Sequence, residues 1–161
     1  MSSTAERSSA DVTELLSRAR SGQRQGHYYV ALFGWRRYDS LYVIGQVRQG
    51  LRYSAFERFR RNTALSQQIL ADVAAIPERT LARRREAGRL EPDESDRLVR
   101  ASRVVARALE LFEGDTDAAR VWLTKPRRAL GDHTPLDFAR TDAGAIEVEN
   151  LIGRLEHGVP T

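Results

Sequence analysis

Apolar residues recur at three- and four-residue steps along most of the chain, and that period predicts helix after helix. Val12, Leu15, Leu16 and Ala19 form one short amphipathic stripe. Residues 1–10 before it and Ser21 to Gly26 after it show no such pattern and are expected to be flexible. Tyr28 to Trp35 breaks the period with a continuous apolar and aromatic run, open to a strand or to a buried irregular segment. Asp39 is placed to cap a helix carrying Leu41, Ile44 and Val47, with Gly50 as its stop. Ser54 is placed to cap the next, with Phe56 and Phe59 on its face.

From Ser66 to Leu81 the pattern tightens into two short helices joined by a turn. Ser66 caps the first, Ile69, Leu70 and Val73 supply its apolar face, and Ala71 is small where two helices must approach. Ala75 and Ile76 fall at the turn, where glycine is the more usual residue. Pro77 suits the first position of the second helix, and Leu81 anchors it. Arg79, Thr80, Arg83 and Arg84 are then expected to project outward within two turns. Arginines so placed suit guanine edges and phosphates in a major groove. With Ser66 and Gln67 at the start of the first helix, they are the candidate DNA-binding residues. An ordinary three-helix cluster with a solvated arginine face fits the same pattern.

A long helix follows from near Pro92 to Gly114, with Asp93 and Glu94 favouring its positive end. Leu98, Val104, Val105, Leu109 and Phe112 form its core stripe. Arg97, Arg100, Arg103 and Arg107 form a second stripe, best explained as a solvated face paired with Asp93, Asp96, Glu110 and Glu113. Asp115 or Thr116 caps a short helix in which Trp122 and Leu123 belong to the core. The last helix, about Ala143 to His157, carries Ile146, Val148, Leu151, Ile152 and Leu155.

Charge divides the chain. Residues 1–89 hold 16 arginines against 8 acids, and residues 90–161 hold 10 basic residues against 14 acids, within a net charge of +4. A basic front and an acidic back suggest partners of opposite character. The chain of 161 residues has no cysteine, which removes disulfides, thiolate catalysis and most structural zinc sites. No apolar run nears the roughly 20 residues needed to span a bilayer, and the first ten residues lack a signal-peptide core. A cytoplasmic location is expected. His27, His133 and His157 lie far apart, so no metal is expected, and no phosphate-loop pattern exists. Ser95, near a helix start, is read as structural.

Beyond position 110 the residues carry a specific resemblance. Leu111-Phe112-Glu113-Gly114-Asp115, Ala118-Ala119, Trp122-Leu123, Pro126, Ala129-Leu130-Gly131, Thr134-Pro135-Leu136-Asp137, Thr141, Gly144, Val148, Leu151-Ile152 and Arg154-Leu155-Glu156-His157-Gly158 follow in order. This series resembles the toxin-binding domain of Xre/MbcA/ParS-type antitoxins. The stretch from about Val47 to Arg100 resembles their helical front domain and linker. The resemblance implies an all-α fold, with an Xre-like helix-turn-helix domain over 47–90 and a small helical toxin-binding domain over 91–161. Residues 1–46 are an N-terminal extension outside the match.

The same resemblance implies a type II antitoxin with no enzymatic activity and no cofactor. Its implied partners are a RES-domain toxin that consumes NAD or transfers ADP-ribose from it, and operator DNA for autoregulation. A homodimer, and a higher complex with the toxin, are expected, because helix-turn-helix repressors meet two half-sites. The candidate toxin-binding residues are Asn150, Arg154, Glu156, His157, Gly158, Val159, Pro160 and Thr161, with Glu156 suited to basic groups of an NAD pocket. The Tyr28–Trp35 segment is a candidate dimer or toxin contact as well as a candidate for the core. Two other functions remain open: a transcriptional regulator with no toxin partner, and a toxin-binding module that reads no DNA.

Overall fold

In the computed structural model, which describes residues 2–21 and 26–160, most helices start where a side chain satisfies a free amide. The elements are α1 (Ser2–Ser21), a 3-10 segment (Tyr28–Phe33), α2 (Ser40–Gln49), α3 (Tyr53–Thr63), α4 (Gln67–Val73), α5 (Glu78–Ala87), α6 (Pro92–Leu111), α7 (Thr116–Thr124), a short 3-10 turn (Arg128–Leu130), α8 (Pro135–Phe138) and α9 (Asp142–Glu156). Among the described residues there is no strand, only isolated bridges at Arg52–Arg89 and Arg127–His133. The fold is all-α, as expected.

Asp39 accepts from the Tyr42 amide at 3.0 Å, Ser66 from Ile69 at 3.2 Å, and Asp115 from Ala118 at 3.0 Å. Glu91 and Glu94 close a reciprocal capping box at the start of α6, with Pro92 in the first turn. Ser54 caps nothing: Arg52 is the cap position of α3, and Ser54 lies inside its first turn. Helix α6 ends at Leu111 rather than Gly114, because Glu113 and Gly114 turn to φ 54° and 83°. Helix α1 reaches back to Ser2 where flexibility was expected; once Val12, Leu16 and Ala19 are buried, adding turns costs less than nucleating them. Gly22 to Gln25, also expected to be flexible, lie outside the described residues.

Helix α6 is the axis. It touches α1, the 3-10 segment, α2, α4, α7 and α9. Its Leu98, Val104, Val105, Ala108 and Leu109 are essentially fully buried. The Tyr28–Phe33 segment is neither strand nor surface: Val30, Ala31, Leu32 and Phe33 are sealed between α1, α3 and α6. Burial removes those residues from any dimer or toxin contact, since so much apolar surface gains about 25 cal/mol per Å² by leaving water. Burial also pushes the Tyr28 and Tyr29 hydroxyls up in pKa.

A pinch closes the front half. The Leu90 amide donates to the Leu51 carbonyl at 2.8 Å, and the Tyr53 amide to Gly88 at 2.9 Å. Gly50 sits at φ 84°, and a Cβ there would lie 2.0 Å from the Leu90 oxygen, so only glycine allows this approach. Ser95, wholly buried, accepts from the Leu51 amide and donates to the Glu91 carbonyl, both at 2.8 Å. The hydroxyl is thus structural, joining the α2–α3 corner to α6.

Candidate DNA and partner interfaces

The turn between α4 and α5 is built without glycine. Ala75 takes φ 55°, its amide donates to Asp72, and the Ile76 amide reaches back to Ala71 at 2.8 Å. Ile76 and Leu81, each 3% exposed, pin the two helices together. Pro77 holds the cap position, and α5 begins at Glu78, one residue later than the pattern suggested. Behind the turn, Arg97 of α6 donates to the Ala74 carbonyl at 2.8 Å. One arginine of the second stripe therefore braces the turn.

Arg79 and Arg83 are exposed on α5, as expected, and Arg83 donates to Thr80 Oγ1 at 3.2 Å. Ser66 is exposed but spends its hydroxyl on the cap. Gln67 is half-buried, and its Oε1 accepts from Arg85 at 3.3 Å. Arg85 also reaches the Tyr53 hydroxyl at 3.4 Å and lies over its ring at 5.7 Å. Arg85 and Tyr53 were not among the sequence candidates. Their signal was the spacing of Arg85 one turn beyond Leu81, masked by the adjacent Arg83 and Arg84.

Arg84 is a correction. It turns inward, not outward, and makes a forked contact with Glu94 at 2.9–3.1 Å. Glu94 is 5% exposed and also accepts from the Glu91 amide at 2.9 Å. The Arg84–Glu94 hydrogen bond raises the Arg84 pKa above its already high ordinary value. A buried carboxylate needs such a partner, and Arg84 is the cation α5 places within reach. Arg84 bolts α5 to the start of α6 and is not presented to a groove.

The back half is organised by the other arginines. Arg100 pairs with Asp96 at 2.9 Å and donates to the Arg140 carbonyl at 3.2 Å. Arg103 pairs with Glu149 at 2.5 Å and Asp142 at 3.6 Å, and Arg107 with Glu156 at 3.1 Å. The stripe was expected to pair along its own helix; Arg97 and Arg100 do, whereas Arg103 and Arg107 reach across to α9. Glu156 is thus paired with Arg107 while remaining exposed.

On the outer side of α9, Ile146 is 45% exposed, and Glu147, Asn150 and His157 are exposed in line with it. Arg154 is half-buried, and its carbonyl accepts from the Val159 amide at 2.9 Å. Gly158 turns at φ 68°, so Val159 and Pro160 fold back over the helix end and stay exposed. Thr161 lies outside the described residues. A groove of about 590 Å³ separates the turn from α8, with Ile69, Val73, Ile76 and Leu136 among its walls. Nothing in the local sequence pattern announced it, since its walls come from segments 60 residues apart.

A helix-turn-helix joined through one long helix to a small helical back domain is the build of an antitoxin from a toxin–antitoxin pair. The family model described as the Antitoxin Xre-like helix-turn-helix domain matches residues 43–103, and that of the Antitoxin Xre/MbcA/ParS C-terminal toxin-binding domain matches residues 107–158. The chain is 36% identical to Antitoxin Xre of Yersinia enterocolitica over 118 residues, 73% of this chain and 80% of that one. It is 36% identical to Antitoxin Xre of Photorhabdus laumondii over 114 residues, 70% and 77% of the two chains. A third relative, from Sphingobium sp., is named Prs ADP-ribosylating antitoxin and is 24% identical over 156 residues, 91% and 98% of the two chains. The chain belongs to the Xre/MbcA/ParS antitoxin family. Both matched regions end or begin inside α6, so that helix is shared between them. Among the described residues no helix is long and apolar enough to cross a membrane.

Proposed function

We propose that this antitoxin neutralises a RES-domain toxin that consumes NAD or transfers ADP-ribose, covering its active site with the C-terminal region, and represses its own operon through α4 and α5. In this reading the chain is a binder in the cytoplasm, not an enzyme, and acts as a homodimer on two operator half-sites.

The observation that carries the toxin side is the unpartnered outer stripe of α9. Ile146, Asn150 and His157 run into the exposed Val159 and Pro160 while the opposite face is locked to α6 by Arg103 and Arg107. A helix fixed on one side and open on the other suits helix-in-groove docking. The name of the Sphingobium relative supports ADP-ribose chemistry in the partner. Glu156 stays exposed beside Arg107, and the contact set proposed for the toxin is Asn150, Arg154, Glu156, His157, Gly158, Val159, Pro160 and Thr161. For DNA it is Arg79, Thr80 and Arg83, with Ser66 and Gln67 at the start of α4.

The test is copurification with the neighbouring gene product, followed by its NAD-consumption assay with and without this protein. Truncation after Glu156 leaves the Arg107 pair intact and should abolish or sharply weaken inhibition. Full inhibition by the truncated chain would overturn the tail's role. A neighbour without NAD-dependent activity would overturn the RES assignment and leave the family membership untouched.

A further inference from the structure

A cleft of about 310 Å³ opens between α2, the start of α3 and the segment that follows Phe33, away from the faces described above. Arg52, Ser54, Arg58, Trp35, Tyr42 and Gln46 line it. The arginines of α6 each have a carboxylate or carbonyl partner, but Arg52 and Arg58 make no side-chain hydrogen bond or ion pair among the described residues.

The surrounding elements cannot supply one. Helix α2 has no acidic residue, and the 3-10 segment has none. The single acid of α3, Glu57, is taken by Arg60 at 2.7 Å. Asp39 already caps α2 and pairs with Arg37 at 3.1 Å.

Arg58 also has a defined path over the turn. Its side chain crosses the bare backbone of Gly34, where an added Cβ would lie 2.6 Å from both Cδ and Nη1. Gly34 has φ 82°, so the turn and the room for Arg58 come from one residue. The cation lies exposed over the turn without a counter-charge, which favours an anion from outside. Beside it, Trp35 is half-buried, with Phe33 at 5.2 Å and the edge of Tyr42 at 5.7 Å fixing its ring. The Ser54 hydroxyl and the Gln46 amide add hydrogen-bonding groups.

We infer that this cleft binds a phosphate carrying a planar ring, with Arg52 and Arg58 on the phosphate and Trp35 against the ring. Two sources share that chemistry: a free mononucleotide and a nucleotide of a nucleic-acid strand. The volume is at the small end of ligand sites, about 300 Å³ and upward, and suits one nucleotide, not a dinucleotide.

Tryptophan fluorescence of the full chain reads the site, because Trp35 lines the cleft while Trp122 is buried in the back domain. Titration with AMP, adenosine, inorganic phosphate and a short oligothymidylate forms the four arms. AMP should change the Trp35 emission more strongly than adenosine or phosphate alone. Arg58→Gln or Arg52→Gln should weaken AMP binding about tenfold each, and Arg48→Gln, the same charge change on the exposed end of α2, by less than about twofold. Response to the oligonucleotide but not to AMP, with the same losses, assigns the nucleotide to a strand and sustains the inference. Silence in both arms at about 10 mM AMP, equal weakening by Arg48→Gln, or phosphate acting as well as AMP would overturn it.

Discussion

On α5, Arg79 has no carboxylate partner among the described residues, and Arg83 touches only the neighbouring Thr80 hydroxyl. On α6, Arg97, Arg100, Arg103 and Arg107 follow one another at the same helical spacing, yet each is engaged, two along the helix and two across to α9. The difference lies in what each helix packs against. Helix α6 is covered on several sides and two of its arginines meet acids from α9, whereas α5 touches the body along Leu81, Arg84 and Arg85 and leaves Arg79 and Arg83 in water. An exposed, unpaired arginine retains its full charge for a polyanion; a paired one has already exchanged that interaction for an internal contact.

The sharpest way to break this contrast is at Arg84, the α5 arginine that behaves like those of α6. Glu94→Ala removes the carboxylate that Arg84 and the Glu91 amide share, and loses half of a capping box. A cost of about 3 kcal/mol in unfolding free energy is expected, the range for breaking a largely buried pair. Chemical denaturation checks it. A loss below about 0.5 kcal/mol, the size expected of an ordinary surface change, would place Arg84 among the free cations after all.

Arg83→Ala tests the opposite side. Stability should stay within about 0.5 kcal/mol of the parent, while binding to the upstream promoter should weaken by roughly 1–3 kcal/mol if a guanine is lost. If a phosphate is lost instead, the weakening should be uniform over sequences and the salt slope should fall by about one. Arg103→Ala is the matched control: it should weaken the α6–α9 contact and toxin inhibition but leave the promoter shift intact. Promoter binding that follows Arg103 and ignores Arg83 would reverse the assignment of the two rows.

Most of the caps and stops were legible because each is a local event, Ser54 and Gly114 being the exceptions. Asp39, Ser66, Asp115, Pro92 and Gly50 act within four residues of themselves, and the structure finds each at work. Leu41 and Ile44 were less legible: they sit at helical spacing with Val47, yet Leu41 is 85% exposed because the helix turns Val43 inward instead. Periodicity names a face and cannot say which neighbour covers it. Arg84 and Arg107 were illegible for the same reason, since Glu94 lies 10 residues from one and Glu156 lies 49 from the other. The unpaired arginines at Arg52 and Arg58 carry no motif at all; their significance comes from a glycine 24 residues before Arg58.

A smaller effect probes the turn that presents α5. Ala75 holds a left-handed conformation that costs an alanine about 1 kcal/mol relative to glycine. Ala75→Gly should therefore stabilise the protein, by somewhat less than that figure because glycine also frees the unfolded chain. Promoter affinity should be unchanged if the turn geometry is already the productive one. A thermal melt shifted downward would mean that the Ala75 methyl makes a contact outweighing the strain.

The smallest expected effect is on acid stability in the front half. The Arg60 hydrogen bond holds the Glu57 carboxyl below the usual glutamate range, and the Tyr42 amide does the same for Asp39. A carboxylate with a lowered folded pKa binds fewer protons folded than unfolded, so its contribution is complete above the unfolded value of about 4.3 for glutamate. It decays as pH falls through the lower folded value. Glu57→Gln should flatten that part of the stability–pH curve while changing little at neutral pH, because Glu57 and Arg60 are partly exposed and such pairs contribute about 0–1 kcal/mol. An unchanged slope between the two values would mean that Glu57 titrates alike in the folded and unfolded chain, and that the front half, like the exposed arginines of α5, leaves this surface pair to the solvent.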